Sequence, residues 1–73
     1  MGMVQVKSEI TGTVWKVVVK QGDRVAEDDV LLILESMKME IPLTAPQAGT
    51  VREILVGENS PLAEGQVAVV LEV

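Results

Sequence analysis

The chain has no cysteine and no histidine among its 73 residues. Without cysteine there is no disulfide, no thiolate metal site and no sulfur nucleophile. Without histidine the usual general base and the commonest metal ligand are both missing. Aromatic residues are nearly absent: Trp15 stands alone, with no Phe and no Tyr. A small aliphatic core is not expected to enclose a deep substrate pocket, so a self-contained enzyme is disfavoured and no catalytic residue is assigned. Basic residues are also scarce, 6 against 11 acidic ones, for a net charge of −5. Nucleic acid and anionic membrane both select a basic footprint, so neither is expected as a partner. No apolar run is long enough to span a bilayer. No charged-then-apolar leader opens the chain, and a cytoplasmic location is expected. Asp28 and Asp29 are adjacent carboxylates that point to opposite faces of an extended chain, so no metal site is expected there.

What is present is β-branched. Val occurs 14 times and Ile 4 times, against 7 Leu. Such side chains fit a pleated, half-buried surface better than a helix. At this length the expectation is a single all-β domain over residues 1–73, with a radius of gyration of about 11 Å.

The sequence also repeats. A shift of 37 aligns the halves without a gap: Gly12-Thr13-Val14 with Gly49-Thr50-Val51, Ala26-Glu27 with Ala63-Glu64, and Leu34-Glu35 with Leu71-Glu72. Val4 and Val6 land on Ile41 and Leu43. The copies are 1–36 and 38–73, and Met37 is left between them. Each half is too short to hold a sheet domain alone. Two halves about a pseudo-twofold axis can close a shared core.

Apolar alternation and turn residues predict eight short strands, four per half: 3–7, 12–20, 24–26, 30–34, 39–44, 50–56, 61–63 and 67–72. The run 30–34 is continuously apolar, which predicts burial on both faces or a central place in its sheet. Pro61 has no N–H and is expected on an edge strand or at a strand start. Trp15 is expected to serve packing.

At the junction of the copies stands Glu35-Ser36-Met37-Lys38-Met39-Glu40-Ile41-Pro42. Symmetry makes it a protruding turn. With no Gly, Asn or Asp at the tip, a type I turn is expected there. Two of the four Met residues flank one amine. Soft, adaptable side chains beside an exposed Lys38 suit docking into a partner's groove. Glu35 and Glu40 bracket the same tip as candidate steering charges.

These residues carry a resemblance. Met37-Lys38-Met39, midway in a two-copy β pattern that also holds Gly12-Thr13-Val14-Trp15-Lys16-Val17 and Gly22-Asp23-Arg24-Val25, resembles the attachment site of the biotinyl/lipoyl carrier family. The resemblance covers nearly the whole chain. It implies a flattened β-barrel of two four-stranded antiparallel sheets, a barrel-sandwich hybrid, with the lysine at a hairpin tip and both termini at the opposite end. It implies that Lys38 takes covalent biotin from a biotin protein ligase that recognises Met37, Met39, Glu35 and Glu40. The loaded chain would then carry activated CO2 between the active sites of biotin carboxylase and carboxyltransferase components, acting as a monomer. Lysine suits the role because its long stem ends in an amine that can be acylated to a stable amide; arginine is a poor nucleophile and always protonated. The ligase is expected to supply the activated acyl group.

Lipoyl domains of this type usually carry Asp-Lys-Ala, so Met37 and Met39 favour biotin, with lipoate on the same lysine as the alternative. An unmodified structural adaptor of the same fold is the third reading; it predicts long helical insertions that this sequence lacks. The chain also departs from carboxylase-embedded biotin domains. Ser8-Glu9-Ile10-Thr11-Gly12 keeps only the Gly of their Ala-Pro-Met-Pro-Gly run. Asp28 replaces a turn Gly, Asn59-Ser60-Pro61 replaces a Gly-Asp turn, and no inserted thumb fits between Lys20 and Arg24. The closer likeness is to small free-standing attachment proteins, which share Trp-Lys-Val after the first glycine.

Overall fold

The computed structural model of the protein describes residues 2–73. Eight strands follow one another: β1 Met3–Lys7, β2 Gly12–Val17, β3 Arg24–Val25, β4 Val30–Ser36, β5 Met39–Thr44, β6 Gly49–Ile54, β7 Pro61–Leu62 and β8 Val67–Glu72. They form two four-stranded antiparallel sheets, ordered β1-β8-β6-β3 and β5-β4-β2-β7. Among the described residues there is no helix. The radius of gyration is 11.2 Å, in a body 37 × 18 × 18 Å.

Adding 37 to the residues of one sheet gives the other. The pair Val4↔Leu71 of β1 and β8 becomes Ile41↔Leu34 of β5 and β4. The irregularities obey the same rule. A bulge at Trp15 in β2 has its mate at Arg52 in β6. Loop hydrogen bonds match as well: Gly22 N–H donates to Val51 O at 2.8 Å, and Asn59 N–H donates to Val14 O at 2.7 Å. These bonds cross from one half to the other and tie each of these turns to the opposite copy.

The core lies between the sheets. Val14 meets the environment of its mate Val51, and Leu34 that of Leu71, all essentially without exposure. Mated core positions also exchange volume. Leu31 stands where the other copy has Ala68, and Val25 where it has Leu62, as close packing requires of a shared interior. Ser8 is buried, as is its mate Ala45; its hydroxyl donates to Ile10 O at 2.6 Å, and no buried side-chain polar atom among the described residues lacks a partner.

The continuous run of β4 has a specific explanation. Strand β4 is central, between β5 and β2. A register shift at Leu31 turns both Leu31 and Leu32 inward, while Ile33 on the outer face is half-buried. A bulge lets neighbouring residues share a face, so the run needs only one covered side. The second strand ends at Val17 rather than residue 20, because Lys20 to Asp23 already form a turn: Lys20 N–H donates to Asp23 Oδ2 at 2.9 Å. Pro61 opens β7, an edge strand, where its missing N–H costs nothing. No helix of the described residues is long and apolar enough to cross a membrane.

Candidate functional site

The site is the hairpin that joins β4 to β5. Ladder pairing continues through Glu35↔Glu40 to Ser36↔Met39, so only Met37 and Lys38 remain as the connection. Both have positive φ, 52° and 65°. That pair of values is the mark of a type I′ turn, and the expected type I turn is corrected. The reason is strand twist: a two-residue link between twisted antiparallel strands needs the primed geometry, which a type I turn would splay. Neither residue is Gly or Asn, so the left-handed backbone costs roughly 1 kcal/mol or more per residue. The ladder beneath must supply that energy.

Two contacts anchor the ladder. Ser36 Oγ donates to Thr11 O at 3.1 Å. At Gly12, a Cβ would stand 2.7 Å from the Glu35 carbonyl oxygen. Only glycine lets β2 press this closely on the base of the hairpin. The signal for it was visible as the repeated Gly-Thr-Val, since Gly49 makes the same 2.7 Å approach to Glu72 O.

Every sequence-predicted site residue lies on this hairpin. Lys38 is exposed at the tip. Met37 is 92% exposed and Met39 64%, so neither tucks into the core. Glu35 and Glu40 are exposed and directly opposite one another on the outer face of the sheet. Like charges in that relation repel. Among the described residues the ion pair within 4 Å is Arg52–Glu72 at 3.7 Å, so neither glutamate nor Lys38 has a counter-ion there.

Trp15 is the correction on the packing side. It is 48% exposed, on the β2 bulge, because the extra residue is displaced outward between the inward positions Val14 and Val17. The acidic turn residues are structural: Asp29 Oδ2 accepts the Ala26 N–H at 2.8 Å, and Asp28 has a φ of 73°. No cluster of three metal-ligating side chains occurs among the described residues. A groove of about 600 Å³ runs between edge strands β1 and β5, lined in part by Val6, Leu43 and Ile41, and does not include the tip.

A methionine-flanked amine, held out on a strained two-residue turn at the seam of the two sequence copies, is the arrangement that comparisons with known proteins decide. A family model described as biotin-requiring enzyme matches residues 1–71. The chain belongs to this biotin/lipoyl family. It is 42% identical over 66 residues to the biotinylated protein TB7.3 homolog of Mycobacterium leprae, covering 90% of this chain and 93% of that one. It is 44% identical over 62 residues to the biotin/lipoyl attachment protein of Bacillus subtilis, covering 85% of each. Among solved structures, the urea carboxylase of Kluyveromyces lactis matches 99% of this chain with a TM-score of 0.93 at 32% identity. That match takes up 6% of the carboxylase chain. Membership accounts for the two-sheet architecture and for its recurrence as a small part of a large enzyme.

Proposed function

We propose that the chain is a biotin carrier, acylated on Lys38 by a biotin protein ligase and serving the active sites of a biotin-dependent carboxylase. The carrying observation is the tip itself: one exposed amine on a two-residue turn, unpaired within 4 Å among the described residues and flanked by two exposed methionines. The residues fit the group. The amine has open space around it, and β-structure ends one residue from it on the Met39 side. Acylation forms an amide between Lys38 Nζ and the biotin carboxyl carbon; the bond from that carbon to the ligase-activated leaving group breaks, and the ammonium gives up two protons, one to free the amine and one as the amide forms. Once bound, biotin supplies the carboxyl-transfer chemistry and the chain supplies position. Tethering turns each delivery into an intramolecular encounter.

Met37 and Met39 supply adaptable apolar contact for the ligase. Glu35 and Glu40 supply an unneutralised negative field beside the amine, suited to a basic rim on the enzyme. The chain acts as a substrate of other enzymes, working as a single copy in the cytoplasm.

The test is intact mass and an avidin blot of chain incubated with biotin ligase, ATP and biotin. One biotin-sized adduct is expected on the native chain and none on Lys38→Arg. An adduct that persists in the variant overturns the site. Replacing Met37 and Met39 together by Thr is expected to lower ligase kcat/KM by roughly tenfold, the size of a modest interface hot spot. Unchanged kinetics would make the methionines bystanders. A second reading, lipoate on the same amine, is favoured by the Bacillus relative, whose name couples the two groups. Faster acylation by a lipoyl ligase than by a biotin ligase would reverse the order.

A further inference from the structure

The pseudo-dyad gives the two outer sheet faces the same backbone. Side-chain differences between them are therefore not imposed by the fold. On the face away from the tip, Arg52 occupies the bulge and pairs with Glu72 at 3.7 Å, and Met3 is opposite Glu72. On the tip face the bulge carries Trp15, the mate of Glu72 is Glu35, and the mate of Met3 is Glu40. The arginine paired with Glu72 on one face is replaced by the chain's single aromatic on the other, and beside it Glu53 is replaced by Lys16.

Trp15 is not an isolated exposed apolar residue. The bulge places it next to Lys16, the partner of Ile33, and Ile33 is directly opposite Pro42 on the outer face, so the apolar patch is Trp15, Ile33 and Pro42 with Lys16 among them. Toward the tip the same face carries Glu35 and Glu40, while Met39 pairs with Ser36 and alternates to the other side. Trp15 lies about 10–13 Å along the strands from the tip, at roughly 3.3 Å per residue. A partner that buries about 800 Å² of one surface covers both the tip and Trp15.

Reach decides which partner needs this patch. The four-carbon lysine stem extends only about 6 Å from the backbone, so an enzyme that acylates the bare amine must lie flush against the hairpin and its sheet. An enzyme that meets the far end of the loaded arm works at more than twice that distance and can leave the sheet untouched. Tryptophan is also the side chain most favoured as a binding anchor.

We infer that the outer face of the β5-β4-β2-β7 sheet, centred on Trp15 with Ile33 and Pro42, is the docking surface for the acylating ligase. The ligase meets it with an apolar depression, rimmed by basic side chains toward Glu35 and Glu40. This rests on the reading that Lys38 is the acylated residue, and it adds an anchor distant from the attachment motif.

The experiment compares ligase kinetics on three chains: native, Trp15→Arg, and Arg52→Trp on the sister face. Urea midpoints confirm that each is folded. Trp15→Arg is expected to lower kcat/KM roughly tenfold, carried by KM, with Arg52→Trp within about twofold of native. A second readout uses the single tryptophan. Chain labelled with 5-fluorotryptophan gives one 19F resonance, which is expected to shift or broaden on titration with unlabelled ligase in the absence of ATP. Native kinetics for Trp15→Arg, or an undisturbed resonance, overturns the proposal. So does a resonance that moves with chain concentration alone, which would place a second copy on this face, or one that responds to carboxylase components but not to ligase. A native chain that gains no mass at Lys38 instead removes the underlying reading, an outcome visible by mass before any kinetics are compared.

Discussion

The two ends of the molecule are built from one design and finished differently. At one end Ser36 and Met39 are ladder partners, closed by Met37 and Lys38. At the other, their mates Val73 and Gly2 exchange backbone hydrogen bonds of 2.9 and 3.0 Å, with no chain connecting them. The paired geometry is the same, so the ladder does not need the turn. What the turn adds is an amine on a strained backbone, held out beyond the last rung. The difference teaches that the duplicated body supplies rigidity while the residues that close the seam supply chemistry.

Mated substitutions test how far that equivalence extends. Leu34→Ala and Leu71→Ala remove side chains that are both essentially unexposed. Each is expected to cost about 2–5 kcal/mol, a large share of the stability of so small a domain. Urea unfolding should place the two within about 1 kcal/mol of each other, within the spread of such core truncations; a wider gap would break the symmetry of the core. Next in size are Gly12→Ala and Gly49→Ala, each putting a Cβ 2.7 Å from a backbone carbonyl oxygen. Both should lose about 1–3 kcal/mol. Only Gly12→Ala should also slow acylation of Lys38, since Glu35 at the base of the hairpin is what it displaces. Equal effects on acylation would show that the hairpin is insulated from its neighbour strand.

The smallest effect concerns Asp28 and Gly65, mates with φ of 73° and 83°. Gly65→Asp should destabilise by about 1 kcal/mol, the cost of a side chain in the left-handed region. Asp28→Gly should change stability in the opposite direction by less, because glycine's freedom in the unfolded chain offsets the relief. A matched pair of midpoints, measured together, sharpens the comparison where the copies already differ.

Much of this was legible beforehand for physical reasons. Strands β1, β5 and β8 begin and end where alternation and turn residues place them, because one buried face imposes a period of two. Lys38 stood out because methionines flank it at the midpoint of a repeat. The turn type was not legible, since Met37 and Lys38 have no preference for positive φ; the ladder on either side forces it. Trp15 was misread as packing because local pattern does not reveal a bulge. One extra residue at that point reverses which face a side chain joins.

Sequence alone determined the duplication, the β class and the identity of the residue at the seam, since composition, periodicity and register are one-dimensional properties. Tertiary structure decided the rest. It set the strain at the tip, the close approach at Gly12, the facing glutamates and the outward Trp15. Each of these depends on which strands lie beside one another, and that is settled only when two halves close around one core.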